Sequence, residues 1–115
     1  MLKEILEHVE KNGGITYNFQ EGHLQNNGFA VGIYPNRERT LTFLDDRRLI
    51  HFIHENYDLL ANENNCIGIW WNKGYYVLDI STVVFREELA LQIAKDNEQL
   101  AIYDLANNKT VYLYR

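Results

Sequence analysis

Cys66-Ile67-Gly68-Ile69-Trp70-Trp71-Asn72-Lys73-Gly74-Tyr75-Tyr76-Val77-Leu78-Asp79-Ile80-Ser81 consists of two β-rich runs separated by Asn72-Lys73-Gly74. Glycine at position 74 suits the left-handed position of a type I turn with a bulge, so this stretch predicts a β-hairpin. By strand alternation Ile67, Ile69 and Trp71 share one face, with Gly68 and Trp70 on the other. Each face of the hairpin therefore carries a large aromatic ring.

Outward from the hairpin, the chain alternates helical and strand periods. On the N-terminal side, Leu49, Ile50, Phe52, Ile53, Tyr57 and Leu60 give a helix with an apolar side through about residue 60, capped by Asp45 or Asp46. Three strands are expected before it, at Ile15 to Gln20, Phe29 to Tyr34 and Thr40 to Phe43. Their connections, including Asn26-Asn27-Gly28 and Pro35-Asn36, are too short for parallel crossovers, so we expect a meander. The first helix covers residues 2 to 11, where Leu2, Ile5, Leu6 and Val9 recur at helical spacing, and Asn12-Gly13-Gly14 ends it.

On the C-terminal side, Phe85, Leu89, Ile93 and Ala94 mark a helix from roughly 86 to 97, which Ser81 or Thr82 can help to start. A final hairpin follows, Leu100 to Leu105 and Thr110 to Tyr114, joined by Ala106-Asn107-Asn108-Lys109. The order α-β-β-β-α-β-β-α-β-β, with about seven strands and three helices, is the α+β class with an antiparallel sheet.

At 115 residues, 46% apolar and 23% charged, the chain has the composition of one folded domain, residues 1 to 115. It contains no apolar run near the roughly 18 residues that span a bilayer. Nor does its start read as a signal peptide, so a cytoplasmic protein with no membrane association is expected. Cys66 is the single cysteine, which excludes an internal disulfide and multi-cysteine metal sites. A net charge of −5 argues against the broad basic footprint of backbone-driven nucleic-acid binding.

Residues able to carry chemistry are few. His51 and His54 lie three apart on the second helix with Asp58 one turn on, a ligand-like spacing without a second ligand pair. No metal or other cofactor is therefore expected. Cys66 at a strand start reads as a small buried hydrophobe, becoming a nucleophile only beside a histidine. Ser81, the only serine, lies in no glycine-flanked elbow.

Asp79 interrupts the apolar strand Tyr75 to Ile80, and a carboxylate there calls for a partner. An ion pair with Arg47, Arg48 or Arg86 is favoured over a catalytic role. No glycine-rich phosphate cradle is present.

The aromatic density carries the functional content, because Trp70, Trp71, Tyr75 and Tyr76 crowd one turn. With helices on one face of the sheet, a ring on the other is covered by a loop, a ligand or another chain, or stays partly exposed, unless both tryptophans enter the core.

The segment from Gly68 to Asp104 also resembles a pattern found in small accessory proteins of bacterial phages and plasmids. Its elements here are G-I-W from Gly68, Y-V-L-D-I-S from Tyr76, a helix with an acidic start, and N-E-Q-L-A-I-Y-D-L from Asn97. The resemblance implies a mobile-element gene acting on host or competing machinery, and brings no activity with it.

The first expectation is thus a non-enzymatic protein-interaction module, self-associating or inhibiting a larger protein through the aromatic hairpin. A small hydrolase-like enzyme pairing Asp79 with His51 or His54 is the second. Single-stranded nucleic-acid binding through the aromatic sheet is the third, weakened because the hairpin offers only Lys73 to phosphate.

Overall fold

Ile5 and Val9 are buried on the apolar side of α1 (Leu2–Asn12), and Gly13, at φ 84°, takes the left-handed turn that ends it. The structure, a computed structural model, describes residues 2 to 113. After α1 come β1 (Gly14–Asn18), the two-residue β2 (His23–Leu24), β3 (Phe29–Gly32), a 3-10 turn at Pro35–Arg37 and β4 (Arg39–Leu41). Then follow α2 (Asp46–Glu55), α3 (Tyr57–Leu60), β5 (Cys66–Asn72), β6 (Tyr75–Val84), α4 (Glu87–Asp96), β7 (Ala101–Asp104) and β8 (Lys109–Tyr112).

The α+β class is as expected: helices and one antiparallel sheet, curled into a half-barrel. The central hairpin is β5–β6, in register from Cys66↔Ser81 to Asn72↔Tyr75. Its turn is tighter than the bulged form expected. Lys73 (φ 51°) and Gly74 (φ 92°) are both left-handed, the signature of a two-residue primed turn that matches the strand twist.

Strand order differs from the expected meander. The sheet runs β2-β1-β5-β6-β3-β7-β8, with β4 also on β6. β1 pairs with β5 rather than β3 because its Ile15 then meets Ile69 on the helix-covered face. Close approach helps fix that pairing, since a Cβ at Gly14 would stand 2.8 Å from the Ile69 carbonyl oxygen. β6 is long enough to hold two partners in succession on one edge, β4 along Tyr76 to Leu78 and β3 along Ser81 to Val84. Between them the chain leaves the sheet through the 3-10 turn.

Other boundaries shift for local reasons. The expected helix to residue 60 breaks at Asn56, whose side-chain amide donates to the Phe52 carbonyl (2.8 Å) and whose Oδ1 accepts from Arg37 (2.8 Å). Arg37 also spans both oxygens of Asp58, holding the 3-10 turn to α3. Asp45 caps α2 through the Arg48 N–H (3.0 Å). Ser81 and Thr82 start no helix, because β6 continues through both and α4 begins after Arg86. The end of the last expected strand, Tyr114, lies outside the described residues.

All the long helices pack on one face of the sheet. There Ile5, Val9, Leu49 and Phe52 close over Ile67, Ile69, Leu78 and Ile80, and Ala90 and Ala94 of α4 close over Val31 and Ile102. The other face lies away from these packing contacts, and of α1 the residues His8 and Asn12 border a cavity over it. Among the described residues no helix is long and apolar enough to cross a membrane.

Candidate functional site

Directly paired residues of antiparallel strands share a face, so the register lists what the open face presents. Gly14 and Thr16 come from β1, Cys66, Gly68 and Trp70 from β5, and Val77, Asp79 and Ser81 from β6. Ala30 and Gly32 come from β3, and Tyr103 from β7. Most of these strands contribute glycine, alanine, serine, threonine or cysteine here, while the helix-covered face is mostly isoleucine, leucine and valine with Tyr17, Phe29 and Tyr76 beside them. Side chains this small leave the curled face unfilled, and a cavity of about 480 Å³ results. That is within the usual range of small-molecule sites.

Asp79 lies on the floor of this cavity. It occupies the stretch of β6 between its two edge partners, opposite Gly68 on β5. Glycine leaves the carboxyl its room on that side: a Cβ at Gly68 would collide with Asp79 Oδ1, the end of a movable side chain, and come within 3.4 Å of Ser81 Oγ. Toward β3, a Cβ at Gly32 would stand 3.5 Å from Asp79 Oδ2 and 2.7 Å from Gln99 Oε1. The carboxyl thus rests between two glycines with a glutamine oxygen nearby. Glu38, at the re-entry of the chain into β4, also borders the cavity.

Asp79 Oδ1 and Ser81 Oγ are shut off from bulk solvent and have no hydrogen-bond partner among the described residues. Such groups are rare in folded proteins and call for an explanation in strain, an ordered water or ion, or a functional role. Burial, with the Glu38 charge adding to it, pushes the Asp79 carboxyl up to about 7. Burial also raises Glu38. The expected ion pair of Asp79 with Arg47, Arg48 or Arg86 does not form. Arg48 is bonded to Asp45 at 3.1 Å, and α2, which carries Arg47 and Arg48, lies on the opposite face of the sheet.

The same geometry separates Asp79 from His51 and His54. Both are exposed on α2 with the sheet between them and the carboxyl, and His51 stands 3.4 Å from Glu55. Asp58 belongs to Arg37 instead of to these histidines, and no group of three or more metal-ligating side chains occurs among the described residues. Cys66 is buried, and its thiol is pushed up to about 11 by desolvation. A thiol so protonated is a poor nucleophile.

Comparison with family models, with curated proteins and with solved structures returns no match in any of the three. The site is therefore read from its own chemistry.

The aromatic hairpin divides between two surroundings. Trp70, half-buried, forms part of the cavity wall. Trp71 and Tyr75 are each 48% exposed at the hairpin end. Tyr76 lies edge-on against Trp71, with ring centroids 4.8 Å apart, and packs on the main core.

Sequence reasoning placed Gly68 and Trp70 together on one face but missed the cavity. The available signal was the run of small residues in alternate positions of successive strands, which supplies too little volume to be a core. The lining includes Glu38, Asp79 and Glu98 and neither lysine nor arginine, a setting that repels phosphate.

Proposed function

We propose that this chain is a non-enzymatic binding module that holds a small molecule on the open face of its sheet. The observation that carries this reading is the unpartnered Asp79 Oδ1 and the unpartnered Ser81 hydroxyl, in two residues that line a cavity of about 480 Å³. A buried polar group without a partner costs about 1 to 3 kcal/mol, so a fold that keeps two of them in residues lining a cavity is best explained by a ligand that engages the part of Asp79 left accessible there. Among the described residues no histidine is hydrogen-bonded to Asp79, Ser81 or Cys66, which favours binding over hydrolysis.

The test is ligand mapping by amide chemical shifts, using the full chain and a fragment library of mixed charge. Shifts gathering at Gly14, Gly32, Gly68 and Ser81 are expected. No response there, or responses confined to the helix-covered side, would overturn the reading.

A second reading, protein interaction through the hairpin end, is favoured by the exposure of Trp71 and Tyr75. Aromatic residues of this kind anchor protein interfaces. The resemblance of residues 68 to 104 to phage and plasmid accessory proteins agrees with a regulator or inhibitor in this role. If the hairpin end mediates self-association, the double substitution Trp71→Ala with Tyr75→Ala lowers the mass measured by light scattering to that of one chain. A wild-type protein already of one-chain mass excludes self-association.

A further inference from the structure

We propose that the cavity is selective for a small organic cation, a primary ammonium or guanidinium on a ring-bearing or apolar body, with Asp79 as its counter-ion. This rests on the binding reading above and names the ligand class for it.

The first reason is hydrogen-bond polarity. The polar atoms that meet at Gly32 are acceptors, Asp79 Oδ2 and Gln99 Oε1, with Asp79 Oδ1 over Gly68, while hydroxyl and amide donors such as Thr16 and Tyr103 line the cavity as well. Gln99 is oriented this way because its Nε2 donates to the Asn97 carbonyl at 3.3 Å. Ser81 Oγ adds an acceptor that can also donate. Ammonium and guanidinium groups are donors only, so they complement such a floor, whereas a carboxylate or phosphate meets acceptor against acceptor.

Charge is the second reason. Glu38, Asp79 and Glu98 line the cavity with no lysine or arginine among the lining residues. The arginines nearest in sequence to Glu38 are engaged elsewhere, Arg37 with Asp58 and Asn56, and Arg39 with the carbonyls of Asn36 and Glu38. A buried carboxylate without a counter-ion is costly, and an incoming cation removes that cost. The walls are the third reason, since Trp70 and Tyr103 border the same cavity and aromatic faces attract cations. A bare metal ion is disfavoured by the absence, among the described residues, of three convergent metal-ligating side chains.

Such a site titrates. The groups facing Asp79 or lining the cavity with it are Glu38, Glu98, His8 and Tyr103. Burial holds the Asp79 carboxyl near 7, and a cation prefers its ionised form. Affinity therefore rises with pH through that value and falls about tenfold per pH unit below it.

The experiment is calorimetric titration of the full chain at pH 8.5 and pH 5.5 with phenethylamine, agmatine, neutral 3-phenylpropanol and anionic 3-phenylpropionate, followed by amide shifts. Expected is binding of one or both cations at pH 8.5, at least tenfold weaker at pH 5.5 and lost in a folded Asp79→Asn variant, with shifts at Gly68 and Ser81. If the neutral or anionic probe binds this cavity as tightly as the cations, the cation class is wrong while the cavity remains the binding site. Cation binding that persists in Asp79→Asn, or that shifts only residues around Trp71 and Tyr75, overturns the proposal as well. If neither these probes nor the fragment library perturbs Gly68 or Ser81, the binding reading itself falls.

Discussion

Replacing Asp79 with asparagine is expected to make the protein more stable at pH 8 while abolishing cation binding. The carboxyl titrates near its ordinary 3.8 in the unfolded chain and near 7 in the folded one, where burial and then Glu38 disfavour its charge. Between those values the folded state binds the proton that the unfolded state has released. Stability is therefore fully present below about pH 4 and declines as pH rises to about 7. The shift corresponds to about 4 kcal/mol. Because Asp79 as a residue keeps part of its surface accessible although Oδ1 has almost none, roughly half of that, about 2 kcal/mol, is expected in a measurement.

Asparagine has almost the same shape and no charge, so the variant gains this amount at pH 8 and loses the Asp79 part of the decline between pH 4 and 7, leaving only the part that Glu38, also raised by burial, contributes in the same direction. Asp45, Asp58 and Asp104, held low by their hydrogen bonds and ion pairs, act in the opposite direction and only at lower pH. Urea midpoints at pH 5 and pH 8 measure the effect. A destabilised asparagine variant at pH 8 would mean that Asp79 has a structural partner and is no ligand anchor. Gain of stability with loss of binding is the usual mark of a residue kept for function.

Ile67 and Gly68 are neighbours in sequence on opposite faces of β5, and substitution to alanine is expected to separate folding from binding. Ile67 is fully buried beneath α1 and α2 in the main core. Its truncation leaves a cavity and costs about 2 to 5 kcal/mol, a large part of the roughly 5 to 15 kcal/mol that holds a domain together. At Gly68 the added methyl group enters the binding cavity and meets the Asp79 carboxyl. That carboxyl can swing aside, so the stability change stays below about 1 kcal/mol, while cation affinity drops at least tenfold. Equal losses of stability at both positions, in denaturant titrations, would contradict the division of the sheet into a packed and a binding face.

The central hairpin, a cap at Asp45 or Asp46, the helix end at Gly13 and the apolar helix periods, though not the break at Asn56, were legible because each is set by residues close in sequence. Strand order was not, since the pairing of β1 with β5 is decided by where Ile15 and Ile69 meet under the helices. That one failure hid the site. Without the order, nothing connects Asp79 to Gly32 on β3 or to Gln99 beyond α4. Expecting an arginine partner for Asp79 was sound chemistry applied to the wrong face of the sheet. Alternation did separate Trp70 from Trp71, and those rings now belong to different surfaces, one bordering the cavity and one at the hairpin end.

The interruption between β3 and β4 has a bearing on how such a protein diversifies. Residues 34 to 38 leave and rejoin the edge of β6 beside Asp79, after a last bond from the Ile33 N–H to the Ile80 carbonyl, and Arg37 pins their outer side to α3. The ladders before and after this interval set their own registers, so its cavity-lining Pro35 and Glu38 can vary with least disturbance, whereas Tyr34 packs on the main core and Arg37 holds Asn56 and Asp58. One short stretch is thus free to retune what the pocket admits, as a replaceable lip on a fixed bowl.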